Sequence, residues 1–353
     1  MYAMLPRNSG DLMRFLVSAA VIASLAAQPV IAQDRLELAP SSSWNIQYDA
    51  QSCALRRDFG PVGSKMFLEL RSINPVETFN WQVVLASPDI DRTGDTLRVG
   101  FAPDATYEHS RSYDVEFGSE YEGRMFDMQS WQREVPVYEE AFERFRSTTP
   151  LLTDTERRYA IRKDGSYQIT RQATMATAFE AFIKADELFR ASPEFDEASE
   201  RWASSIEGFA IDKGFGGEPM LLRTGSMNKA FGAMQTCLDG LLESWGFDVA
   251  AHRTMSRSAR PNNSGSYAEK LQRRRNRDMR TYTNGADRVV VRVDVSAEGQ
   301  PTACHLQQSL TDERYGEAIC EIMQNDARFD PALDVAGEPM ASYYLQSVIY
   351  TLN

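Results

Sequence analysis

Histidine and cysteine are scarce in this chain, with three and four residues among 353. His109, His252 and His305 stand apart in sequence, and none of Cys53, Cys237, Cys304 and Cys320 forms a C-x-x-C pair. Zinc sites need clustered Cys and His ligands at short spacings, so no metal centre is expected. H-E-x-x-H, a glycine-flanked G-x-S-x-G serine and a phosphate-loop lysine are all missing, and with them the usual signatures of metalloproteases, serine hydrolases and nucleotide-binding enzymes. Positive charge is in deficit: 38 Lys and Arg face 50 Asp and Glu, a formal −12, so nucleic acid is not an expected partner. Neither a repeat of solenoid length nor a long Pro-rich stretch is visible, and no cofactor is implied.

Long apolar runs are absent too. The fullest is Phe15 to Ala27, shorter than the ~20 residues of a membrane span. It follows Arg7 and Arg14 and precedes small residues ending at Ala32, the order of a secretory signal peptide cut after Ala32. Met13 is an alternative start that gives a shorter signal. Residues 1–32 are therefore expected to be a signal peptide of a periplasmic or secreted protein with no integral membrane span. An even number of widely spaced cysteines in an exported chain favours disulfides, with three connectivities open.

From Trp44 to about Phe117 the text is strand-like. "WNIQY", "KMFLEL", "NWQVVLAS" and "TLRVGF" alternate or run apolar between the turn-rich pieces "FGPVGS", "SINPVE" and "DIDRTGD". Helical text follows. "TMATAFEAFIKADELFRA" carries Met175, Phe179, Phe182, Leu188 and Phe189, and Ser192-Pro193 is expected to end it. In "SMNKAFGAMQTCLDGLLESWG" the residues Met227, Phe231, Met234, Leu238, Leu241 and Trp245 form one stripe, with Ser226 expected at the N-cap and Gly246 beyond the C-cap. Residues 33–251 thus read as an N-terminal α+β domain, an antiparallel β-rich unit closed by helices.

Residues 252–266 collect Ser, Asn, Gly and Pro without an apolar period and read as a linker. From Arg253 to Arg280 nine basic residues, among them Arg273, Arg274, Arg275 and Arg277, face only Glu269 and Asp278. This basic seam suits an acidic partner, anionic lipid or the protein's own first domain, or is a solvated helix face.

Several short patterns imitate catalytic motifs. Ser226-x-x-Lys229 has the spacing of penicillin-binding serine enzymes, but no S-D-N or K-T-G follows. "KGFGG" lacks phosphate-loop spacing, and the calcium-like "DIDRTGD" meets Gly100 where a bidentate Glu is needed. Asn262 lies in a glycosylation sequon that is a common chance match. A non-catalytic protein is expected.

Residues 267–353 compose a small two-layer unit: a leading helix, a hairpin, a helix and a final strand. Val289, Val291, Val293 and Val295 share one face of the first hairpin strand; Cys304 and Leu306 share the inward face of the second, with Glu298-Gly299 at the turn. "TDERYGEAICEIMQNDARF", capped by Thr311 or Asp312, carries Tyr315, Ile319, Ile322 and Met323 as the cover. With "F-x-P-A" at Phe329–Ala332, "D-x-x-G-x-P" at Asp334–Pro339 and the closing strand, this ordered series resembles the C-terminal domain of the TonB family of energy transducers. The first domain resembles uncharacterised exported α-proteobacterial proteins carrying the same tail, without the family's membrane anchor.

The TonB resemblance implies a periplasmic module that grasps an extended segment of an outer-membrane transporter, or of another envelope protein, by strand addition at Ala341–Leu352. Tyr343, Tyr344, Leu345, Gln346, Val348 and Tyr350 are the expected partner-binding residues, with Tyr267 where the family has a Tyr-Pro. The alternative is a self-contained structural or stress protein of the cell envelope whose tail packs on its own first domain; a third is a serine hydrolase using Ser226 and Lys229. Facing pairs Cys304 with Cys320 across about 16 residues, which leaves Cys53 with Cys237.

Overall fold

A computed structural model describes residues 35–61, 66–75, 81–87, 97–109, 113–117, 121–128, 136–153, 184–186, 188–214, 218–278, 287–309 and 314–350. The expected signal segment, "DIDRTGD", Met175 to Phe182 and the Thr311/Asp312 cap lie outside these residues. In chain order the first strands are β1 (Leu36–Leu38), β2 (Asn45–Tyr48), β3 (Cys53–Phe59), β4 (Met66–Ser72), β5 (Trp81–Ser87), β6 (Leu97–Ala102), β7 (Tyr107–His109), β8 (Tyr113–Phe117) and β9 (Tyr121–Met128). Helices α1 (Pro136–Thr148) and α2 (Pro193–Ser205), strands β10 (Gly208–Lys213) and β11 (Met220–Leu222), and helices α3 (Asn228–Ser244) and α4 (Val249–Arg253) follow. The rest holds β12 (Arg260–Pro261), α5 (Ser264–Asp278), β13 (Asp287–Val295), β14 (Pro301–Ser309), α6 (Arg314–Asp326), β15 (Phe329–Asp330), β16 (Ala332–Leu333), β17 (Pro339–Met340) and β18 (Ser342–Tyr350). The protein is α+β, and no helix among the described residues is long and apolar enough to cross a membrane.

Alternation along the strands decides which side chains meet. Leu55, Leu70, Val83 and Phe126 are register partners across β3, β4, β5 and β9, and each is at most 1% exposed. That ladder is one face of an antiparallel six-stranded sheet, β2-β3-β4-β5-β9-β8. The expected strand Leu97–Phe101 forms, with Leu97, Val99 and Phe101 buried, but joins a second sheet, β1-β11-β10-β6-β7. Its partner β10 comes from beyond the helices, with Phe101 and Phe209 in register, so local text could not show the separation. Both sheets share one apolar core with α1, α2 and α3.

One helix boundary is as expected and another differs. The helical residues 188–190 end before Ser192-Pro193, and Pro193 also starts the next helix: the Ser192 hydroxyl accepts from the Phe195 N–H and Pro193 occupies the first turn, where its missing N–H costs nothing. Ser226 is not the N-cap of α3. Met227 holds that position without a side-chain cap, and the Ser226 hydroxyl instead donates to the Ala203 carbonyl at 3.3 Å. The apolar stripe itself is as expected, with Met227, Met234, Leu238 and Leu241 buried and Phe231 and Trp245 partly so. Gly246 follows the C-cap at φ +87°, a left-handed conformation that glycine adopts without strain.

In the C-terminal part β14, β13 and β18 form an antiparallel sheet in that order. Val289, Val291, Val293 and Val295 face α6, meeting Ile319 and Met323 in a separate core. Residues 252–266 are laid along this part: Arg257 bridges Leu333, β12 pairs with β15, and Met255 and Ala259 are buried.

Candidate functional site at the last strand

Strand β18 pairs with β13 over nine residues. It is the end strand of its sheet, and no strand pairs with its other side among the described residues. Period-two geometry divides its side chains. Tyr344, Gln346 and Val348 lie opposite Val293, Val291 and Val289 on the α6 side, while Tyr343 and Leu345 lie opposite Asp294 and Arg292 on the other. Tyr350 ends the strand, and its side chain lies outside the described residues.

The α6 side is tied down by tyrosines. Tyr267, on α5, is buried, and its hydroxyl hydrogen-bonds that of Tyr344. Burial pushes both phenols above the ordinary tyrosine value, so they stay neutral donors and acceptors. Tyr344 and Val348 pack against the C-terminal core. Arg273, Arg274, Arg275 and Arg277 all fall on α5. Arg273 pairs with Glu269 one turn earlier; the other three side chains lie outside the described residues.

The other side of this sheet meets residues of the preceding α+β part of the chain. Tyr343 donates to the Asn74 side-chain amide oxygen at 2.6 Å, and its ring meets Trp245 edge-on at 5.3 Å. Gln308 and Gln82 exchange two amide hydrogen bonds of 2.7 Å, and the Gln307 amide donates to Gln51 at 2.7 Å. The Arg292 guanidinium lies 3.9 Å from the Trp245 ring centroid and donates to Asp294 at 2.8 Å. Its burial lowers its pKa, opposed by the Asp294 charge. Buried polar groups are tolerated when paired, and the Gln82–Gln308 and Gln51–Gln307 amides pair across the contact. Composition hid this: Gln and Arg suit a solvated face as well as a paired one.

At the root of β18, His252 is buried, with Nδ1 against the Asp248 carbonyl at 2.8 Å and Nε2 against the Ser342 hydroxyl at 3.1 Å. Burial holds its pKa below the ordinary 6.5, which keeps the ring neutral. Beside this root Asn74, Met255, Ser258, Ala259 and Ser342 to Leu345 line a cleft of about 180 Å3. Among the described residues the outer side of the strand has no strand paired with it, while Tyr267 and Tyr343 are committed to internal contacts.

Two disulfides are present, Cys304–Cys320 between β14 and α6 and Cys53–Cys237 between β3 and α3. Both suit the oxidising compartment of an exported protein. Ser226 and Lys229 make no hydrogen bond to each other among the described residues. Comparison with models of known protein families, with curated proteins and with solved structures returned no match.

Proposed function

We propose that this chain is a non-catalytic periplasmic binding protein whose C-terminal module takes up an extended segment of an envelope protein, such as an outer-membrane transporter, by strand addition at β18. The observation that supports this reading is the end position of β18, with its outer side unpaired among the described residues. An added strand would satisfy that row of backbone groups. The resemblance of residues 267–353 to TonB C-terminal domains points to the same edge. Titration calorimetry of the oxidised protein with peptides from transporter N-terminal segments should give saturable binding, and a photo-crosslinker at Gln346 should capture the same peptides. No binding by any envelope peptide overturns the proposal.

A second reading has its own support. The Tyr343–Asn74 bond and the reciprocal Gln82–Gln308 pair make the tail a cover for the first domain's sheet. On that reading the module is structural, and removing residues 267–353 lowers the melting temperature of the remainder. An unchanged melt removes it.

A further inference from the structure

Four consecutive residues of β18, Ser342 to Leu345, line the cleft at the root of that strand. Successive side chains of a strand point to opposite faces of its sheet, so a cavity lying over one face meets only every second residue. Contact with four in a row places this cleft at an edge of the strand. The inner edge is taken by β13, which pairs with Ser342 through Tyr350 and contributes no lining residue. The cleft therefore opens on the outer edge, where β18 begins.

Its other walls are held in place. Met255, Ser258 and Ala259 come from a segment in which the Ser256 N–H donates to the Leu333 carbonyl at 2.9 Å and the Ser256 hydroxyl to the Asp334 carbonyl at 2.5 Å. Asn74 is fixed by the Tyr343 hydroxyl, and the Ser342 hydroxyl is engaged by His252. Met255 and Ala259 are buried, so the cleft is largely formed before anything enters it. Among the described residues no charged side chain lines it. A charged group entering would lose its water without meeting a counter-charge. The Met255 thioether and the two tyrosine rings suit an aromatic guest. The volume of about 180 Å3 is enough for one ring, since an apolar cavity of roughly 150 Å3 holds benzene.

We infer that the extended segment taken up at β18 carries an uncharged aromatic side chain, phenylalanine or tyrosine, at the end that reaches Ser342 to Leu345, and that its ring fills this cleft. The inference rests on strand addition at β18 and gives that reaction a sequence requirement. Backbone bonds along the edge supply affinity for any extended segment, and the cleft selects among segments by one side chain. Carboxylate, ammonium and guanidinium side chains are rejected there.

The test is calorimetric titration of the oxidised protein with blocked octapeptides of alternating threonine and valine. One series carries the varied residue first and the other carries it last, because a strand adds to an edge in either direction. In one series phenylalanine should tighten binding at least about tenfold over the parent peptide, the least expected from burying most of a phenyl ring, and aspartate or lysine should weaken it. Ser258 lies exposed on the rim, so Ser258→Trp should cancel the gain from phenylalanine and leave the parent peptide's affinity unchanged. A second readout needs no variant: 4-azidophenylalanine at the preferred end should photolabel residues 255–259 or 342–345. Binding of the parent peptide with no gain from phenylalanine in either series, or labelling confined to α5 and α6, overturns the inference and leaves strand addition standing. No binding of any peptide overturns both.

Discussion

Gly299 shows what one residue decides. It occupies the hairpin turn at φ +77°, its N–H donates to the Ser296 carbonyl, and its carbonyl accepts from the Phe329 N–H at 3.0 Å. A Cβ there would lie 2.1 Å from the Phe329 carbonyl oxygen. Gly299→Ala should therefore destabilise the protein by about 1–3 kcal/mol, from the left-handed backbone and the clash together, as read by denaturant unfolding. His252 sets a pH response at the same scale. Its folded pKa lies below 6.5 because it is buried, so the unfolded chain binds the proton more readily. Its contribution is complete above about pH 6.5 and is lost as pH falls from there toward the lower folded value. Thermal melts should decline over that acid range, and His252→Gln should flatten the decline. The glycine was legible, since Glu298-Gly299 marks a turn in the sequence alone; the histidine was not, because its partners Asp248 and Ser342 are far apart in the chain.

Among elements, α6 and β14 were the most readable pair. Alternation puts Cys304 with Leu306 on the inward face, and the helix stripe puts Cys320 at its margin, so their pairing follows from facing. The bridge closes a separation of 16 residues. Replacing Cys304 and Cys320 by Ser should cost about 3 kcal/mol in unfolding free energy, with Cys53–Cys237 left intact. Helix α2 was not expected, because Ser192-Pro193 was read only as the end of the preceding helix and it serves both boundaries. Proline is disfavoured in a helix interior and favoured in the first turn, so the helical residues 188–190 stop before it and the Ser192 hydroxyl, accepting from the Phe195 N–H, starts the next helix.

At the scale of the whole molecule, the contact between the two sheets is polar and therefore coupled. Gln82 is 2% exposed and Gln308 is half-buried, and truncating either glutamine leaves the other amide without its partner. Gln82→Ala and Gln308→Ala should each destabilise by about 1–3 kcal/mol, and the double variant by clearly less than their sum, in a double-mutant cycle on unfolding free energies. An additive result would mean that the two chains of contacts act independently.

The amino-acid sequence by itself determined the local patterns: the valine alternation of β13, the apolar stripe of α3, the glycine turns and the bridge between Cys304 and Cys320. Each depends on periods of two or about 3.6 residues, which neighbouring side chains carry wherever the segment ends up. Only the tertiary structure decided that β6 leaves the first sheet for the second, that Cys53 lies against Cys237 across a separation of 184 residues, and that Tyr343, Arg292 and Gln308 meet the first domain. Such meetings are chosen by long-range packing and by which polar groups find partners on burial, and a polar face has the same composition whether it meets water or another polar face.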